Sequence, residues 1–327
     1  MRRREFIIAL GTGAAWPLAA GAQQSAAIAR MGYLGPALDN PVVTPGYAAL
    51  IDQLRKLGFT SGQNLLVEHR RADQETPGPF AEAVDLVASR VDLILVAGPE
   101  LYLKAAIAAS PTVPIVVFAN NYDPIALGYV DNLARPGGRI TGVFSRQPES
   151  AGKQLELLTG AFPDRRRVAT LWDAQTADQL SVAERVAKSL EVQLQPYKME
   201  KPPYDFDAAF GSLAVHAPQM LLVLSSPLFT PHRSRIAELA IQYRLPTMFT
   251  FKAYVEAGGL ISYGVDTLPM WRRAASSVAA ILRGAKPSDL PIEQGTIFEL
   301  VVNLRTAKAL GITLPTSVLL RADEVIE

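Results

Sequence analysis

The 327-residue sequence is poor in groups suited to covalent chemistry and rich in groups suited to holding a polar solute. It has no cysteine and no G-x-S-x-G elbow, and His69, His216 and His232 stand apart, without metal-ligand spacing or a neighbouring carboxylate pattern. Neither a Walker-type phosphate loop nor G-x-G-x-x-G follows an apolar run, so no nucleotide or other cofactor is expected. What remains is a set of polar and aromatic residues at the ends of apolar runs. Gly98, Pro99 and Glu100 follow DLILVA; Asn120, Asn121, Tyr122 and Asp123 close VPIVVFANNYD; Trp172 and Asp173 close RVATLWD. Ser225, Ser226 and Phe229 follow MLLVL, and Phe249 and Phe251 lie after LPTM. Amides, hydroxyls, carboxylates and rings in such places can hydrogen-bond and enclose a small molecule. Catalysis by Glu100 or Asp123 as a general base would need a second titrating group across a reaction centre, and no spacing here supplies one.

The elements that must position these residues alternate almost without a break. Short apolar runs, ARMGYLGP, NLLVEHRRAD, VDLILVAG, VPIVVFAN and ITGVFS, are spaced by helical patterns such as Pro45 to Leu57, where Tyr47, Leu50, Ile51, Leu54 and Leu57 share one face. This is the α/β class, with parallel strands joined by helical crossovers. From Ala151 the pattern restarts, and VDLILVAGPELYLKAAIAASPTVPIVVFANNYDP has a counterpart in PQMLLVLSSPLFTPHRSRIAELAIQYRLPTMFTFKAY. Two similar lobes with parallel sheets account for the echo. Residues beyond the carboxyl ends of such strands are where ligands meet free N–H groups at helix N-termini. Pro99 suits a first helical turn because its missing N–H has no partner there, Gly98 lets a ligand approach the backbone, and Glu100 interacts favourably with the helix dipole.

Composition bounds the partners. With 49% hydrophobic residues, 19% charged residues and a formal charge of +1, nothing calls for nucleic acid or an anionic membrane surface. The amino terminus, MRRREFIIALGTGAAWPLAAGAQQ, has three arginines, an apolar stretch from Phe6 to about Leu18 and a small-x-small site at Ala20-Gly21-Ala22. Residues 1–22 are therefore expected to be a cleaved signal peptide, and the stretch is short for a bilayer span, which needs about 20 apolar residues. Arg3 and Arg4 also resemble a twin-arginine export signal, which leaves two export routes open. Cleavage would take the chain from 32 basic and 31 acidic residues to 29 and 30. The expected location is the periplasm.

Several blocks in combination, LARPGGRITGV, KQLELLTGAFPDRRRVATL, YVEAGGLISYGVD, FELVVNLRTAKALGITLP and LLRADEVIE, resemble the substrate-binding proteins of ABC transporters, in the group associated with tryptophan and tyrosine. The resemblance runs nearly the whole length. It implies a type I periplasmic binding protein architecture: two Rossmann-like lobes, a ligand cleft between them and three crossings. These map after Val143, near Gly258 to Gly264 and near Leu290 to Gly295, giving one lobe from 28–143 plus 262–290 and another from 144–261 plus 291–327. It further implies a monomer, not an enzyme, that captures a small solute with a carboxylate and works with a membrane permease. The carboxylate would meet N–H groups and hydroxyls near Gly98 to Glu100 or Ser225 and Ser226. An ammonium would meet Asp123, Asp173 or Asp266, and Tyr33, Tyr122, Phe229, Phe249, Phe251 and Tyr263 would form walls. Family members often carry glycines or other small residues where this chain has Gly98-Pro99 and Asn120-Asn121, and Asn-Pro where it has Asp173-Ala174, so the usual ligand is open. A sensor module docking on a membrane receptor would bind the same kind of solute.

Overall fold

The computed structural model describes residues 28–36, 45–71, 78–146 and 148–327. The signal-peptide expectation for residues 1–22 lies outside them. Among the described residues no helix is long and apolar enough to cross a membrane.

The chain opens with β1 (Ala29–Gly35), α1 (Pro45–Lys56), β2 (Leu65–Arg71), α2 (Pro79–Ala88), β3 (Leu93–Gly98), α3 (Glu100–Ala109), β4 (Ile115–Asn120) and β5 (Ile140–Ser145). It then builds α4 (Ser150–Ala161), β6 (Arg167–Trp172), α5 (Ala177–Ser189), β7 (Gln193–Lys198), α6 (Phe206–Ala214), β8 (Met220–Val223), α7 (Arg233–Gln242), β9 (Thr247–Phe249), α8 (Lys252–Glu256) and β10 (Ile261–Val265). The last part holds α9 (Thr267–Leu282), β11 (Ile292–Gln294), β12 (Phe298–Asn303), α10 (Leu304–Leu310), α11 (Thr316–Leu319) and β13 (Glu324–Ile326).

Two sheets result. The first has the order β11-β5-β4-β3-β1-β2 and the second β13-β12-β10-β9-β8-β6-β7. Every pairing is parallel except β10 with β12. Helices cover both faces of each sheet, so central strands lose their alternation: all six residues of β3 are buried. Each lobe accordingly has two apolar clusters. In the first, Leu93, Leu95 and Phe118 face α1 and α9, while Ile94, Val96 and Val117 face α2 and α3. In the second, Met220 and Leu222 face α4 and α5, while Leu221 and Val223 face α6 and α7. Trp271 of α9 stacks on Phe118 with ring centroids 4.2 Å apart, which docks that helix to the first sheet.

The chain crosses between sheets three times: from β5 to α4, from β10 to α9, and from β11 to β12. The last two crossings fall a few residues beyond the expected points. Strand Ile261–Val265 is hydrogen-bonded into the second sheet beside β9 and β12, and Ile292–Gln294 pairs with β5 in the first. The segments 262–290 and 291–327 thus do not divide as the sequence led us to expect, because strands as short as these carry no mark of the sheet they join. Local capping is plain, by contrast. Asp266 Oδ1 accepts from Leu268 N at the start of α9, Asn303 Oδ1 from Thr306 N at α10, and Gly311 closes α10 with φ 67°.

Candidate functional site

The carboxyl ends of the central strands of both sheets face one another, and a cavity of about 20 Å³ lies between them. That is close to the space of one water molecule, so the lobes are shut on each other. The first lobe reaches the cavity with Asn121, just past β4, and with Ser145 at the end of β5. Asn121 holds a left-handed backbone, φ 62°, which an asparagine tolerates better than most side chains. The second lobe brings Gln179 from α5 and Ser225 from the turn after β8, Thr250 and Phe251 after β9, and Gly264 on β10. Gly264 is there because a Cβ would stand 2.1 Å from the Thr250 carbonyl oxygen.

Hydrogen bonds across the gap fix the closed arrangement. Asn121 Nδ2 donates to the Gln175 carbonyl at 3.0 Å, and Gln179 Nε2 donates to Asn121 Oδ1 at 2.7 Å. Gln179 Oε1 in turn accepts from Ser225 N at 3.0 Å. A carbonyl can only accept and an amide N–H only donate, so the orientation of both side-chain amides follows from their partners. Arg146, on the first crossing, pairs with Asp178 near the start of α5.

Helix α4 enters the site directly from that crossing. Ser150 and Ala151 of its first turn line the cavity, and its dipole directs positive charge there. One turn on, on the same face, Gln154 is 1% exposed. Its Nε2 donates to the Tyr263 carbonyl at 2.7 Å and to Thr250 Oγ1 at 3.1 Å.

The structure distributes the residues expected from sequence unevenly. Asn121, Ser225 and Phe251 line the cavity. Phe249 and Phe229, expected on its walls, are wholly buried in the second lobe's core, Phe249 stacked on Tyr254 at 4.7 Å and Phe229 edge-on to Phe206. Tyr33 lies edge-on to Tyr47 in the first lobe, and Tyr122 is 5% exposed among Ile94, Val96 and Tyr102. The reason is common to all four: a strand end is flanked by crossover helices, and a large ring gains more area under them than in a polar gap. Tyr263 stacks on Phe298, and Trp172 packs on the second core with Lys198 over its ring.

The carboxylates are occupied likewise. Asp173 is fully buried; Oδ1 accepts from Gln175 N at 3.0 Å, and Oδ2 accepts from Ser226 Oγ at 2.5 Å and Tyr204 OH at 3.1 Å. This is an internal tie among three segments, which takes both Asp173 and Ser226 away from an incoming cation or anion. Asp123 caps the turn after it through Ile125 N and Ala126 N, and Asp266 caps α9. Glu100, the first residue of α3 after the Gly98-Pro99 turn, accepts from Tyr129 OH at 2.6 Å and pairs with Lys104. Gly98 keeps φ 131° with the Tyr102 ring below it, and Asn120 ends β4 half-buried. Among the described residues no cluster of three or more His, Cys, Asp or Glu is placed to hold a metal ion.

Sequence reasoning passed over Ser145, Ser150, Gln154, Gln179 and Thr250. A signal existed for Gln154: it interrupts the apolar face of SAGKQLELL, where Leu155 and Leu158 are both 0% exposed. Gln179 lies in the polar opening stretch of α5, and Ser145, Ser150 and Thr250 are short polar residues at element ends, indistinguishable by type from ordinary turn residues.

Comparison with known proteins agrees with this geometry. A curated tyrosine-binding protein of Clostridioides difficile is 23% identical over 277 residues, covering 84% of this chain and 78% of that one. A conserved domain protein of Vibrio cholerae superposes with TM-score 0.78 at 24% identity, over 91% of this chain and 99% of the other. A Streptococcus pneumoniae domain solved with L-Trp superposes with TM-score 0.76 at 22% identity, over the same shares. Both share the fold of this chain. The model of the ABC transporter substrate binding protein family matches residues 36–326, nearly the whole length, and the chain belongs to that family.

Proposed function

We propose that this protein captures a small carboxylate-bearing solute between its lobes, with aromatic amino acids first among the candidates, and presents it to an ABC permease after export to the periplasm. The observation that carries the reading is the polar cavity at the facing strand ends, closed by side-chain amides that span the two lobes. A solute touching both lobes binds the closed form more tightly than the open one and so shifts the population toward it. The carboxylate would meet the hydroxyls of Ser145, Ser150 and Ser225 at the start of α4, where the helix dipole favours an anion. The ring would lie toward Phe251. The relatives named for tyrosine and crystallised with L-Trp support this class of solute.

The chemistry calls for no reaction. Charge-assisted hydrogen bonds of about 1.5–3 kcal/mol each, with burial of a ring, reach the roughly 8 kcal/mol of a micromolar binder. The test is a thermal-shift and calorimetry screen of the mature protein against amino acids and aromatic acids. An aromatic amino acid should raise the melting temperature and bind at one site, since a ligand of the folded form stabilises it by mass action. No shift with any amino or aromatic acid would end this reading.

A further inference from the structure

Among the side chains lining the cleft cavity, one presents an unanswered hydrogen-bond acceptor. Gln154 Oε1 is buried and has no partner, although the residue is 1% exposed and its other amide atom is doubly bound. The amide cannot be turned to relieve this. Tyr263 contributes a backbone carbonyl, which only accepts, so the nitrogen must face it and the oxygen must face away. A buried amide oxygen without a donor is costly, on the order of 1–3 kcal/mol, and such groups in native structures call for an explanation. The surroundings make the position sharper. The described residues lining the cavity include no Asp, Glu, Lys or Arg. The carboxylates expected to receive an ammonium, Asp123, Asp173 and Asp266, are taken up by caps and by the Tyr204–Ser226 tie.

We propose that Gln154 is a specificity-determining residue whose Oε1 accepts a hydrogen bond from the amino group of the captured solute. The inference rests on the cleft being the solute site, and it assigns the amine end of that solute to a neutral acceptor instead of a carboxylate. The α4 geometry fits both ends of an amino acid at once. The first turn offers the Ser150 hydroxyl and the positive end of the helix dipole to a carboxylate, and Gln154 lies one turn further on the same face, so one helix addresses groups attached to a single carbon. Selection then works by what is left unpaired. A solute without an amine leaves Oε1 unsatisfied, and a site that hydrogen-bonds a group rejects the analogue lacking it more strongly than an apolar pocket rejects an extra group.

The experiment compares L-tyrosine with 3-(4-hydroxyphenyl)propionate, identical but for the amine, on the wild-type protein and on Gln154→Leu and Gln154→Glu, by calorimetry. Wild type should prefer L-tyrosine by about tenfold to a hundredfold, the range of a hydrogen bond to a charged donor. Gln154→Leu should erase that preference, while Gln154→Glu, which keeps acceptor oxygens, should retain or increase it. A structural role alone would weaken both ligands equally and leave their ratio unchanged in Gln154→Leu, and that outcome overturns the assignment. Should a variant fail to fold, the wild-type ratio still decides, because equal affinity for the two compounds also overturns it. Binding of neither compound by the wild type would count against the solute-site reading itself.

Discussion

The two lobes meet at one cavity but furnish it differently. The first supplies Asn121 and Ser145 from strand ends, and the second supplies the α4 turn, Gln154, Gln179, Ser225, Thr250 and Phe251. The second lobe is also braced behind its surface, by the buried Asp173 tie and by an aromatic cluster in which Phe206, Phe229, Phe249 and Tyr254 are all at or below 3% exposure. On the proposed function, the second lobe is the preset half and the first the half that arrives by closure, which would divide recognition from switching. A braced surface loses little freedom when it binds, whereas a lobe joined to it by three crossings and a few amide bonds can part from it at small cost.

This contrast can be broken at its stiffest point first. Phe249→Ala should destabilise the second lobe by about 3–5 kcal/mol, the usual range for a buried ring, seen as a large fall in melting temperature. Solute affinity measured well below that temperature should change much less; the reverse pattern would return Phe249 to the cleft wall. Asp173→Ala strands the buried Ser226 hydroxyl and frees the half-buried Tyr204 hydroxyl, so a loss of about 1–3 kcal/mol is expected in denaturant unfolding, and an unchanged midpoint would show that the tie is not structural. Asn121→Ala tests the arriving half. It deletes two bonds between the lobes worth about 0.5–1.5 kcal/mol each, so solute affinity should fall about tenfold with a small change in melting temperature, and small-angle scattering should report a more open ligand-free protein.

The smallest effect is set by pH. Burial, with the charge of Asp266 next, pushes Glu299 up to about 7 from its ordinary 4.5, beside the second and third crossings. The folded protein therefore holds this proton more tightly than the unfolded chain does. Between about pH 4.5 and 7 the unfolded state binds fewer protons, so this group makes stability fall as pH rises through that window. Glu299→Gln should flatten that part of the melting-temperature profile, and an unaltered slope would assign it to other groups.

Much of the fold is legible in the sequence, because burial on both faces of parallel strands leaves continuous apolar runs and crossover helices leave a 3.6-residue stripe. The first-lobe runs became β1 to β5, and the echo between the halves became two sheets. Membership of β10 and β11 was not legible, since ISYGV and IEQ are too short for residue type to mark the sheet they join. Of the candidate residues expected at strand ends, Asn121, Ser225 and Phe251 were found lining the cavity. Phe229, Phe249, Tyr33 and Tyr122 were not, because side chains alternate and turn near a strand end, and whether a ring faces gap or core depends on the helix packed beside it.

By itself, then, the amino-acid order determined the α/β alternation, the echo between the halves and the family, because apolar periodicity and local motifs are properties of the chain alone. Tertiary structure decided which carboxylates are spent internally, which amides bridge the lobes and which acceptor remains open at Gln154. Those outcomes join residues as far apart as Asn121 and Gln179, or Gln154 and Tyr263, and a hydrogen bond across such separations exists only once both sheets have placed its donor and acceptor within about 3 Å of each other.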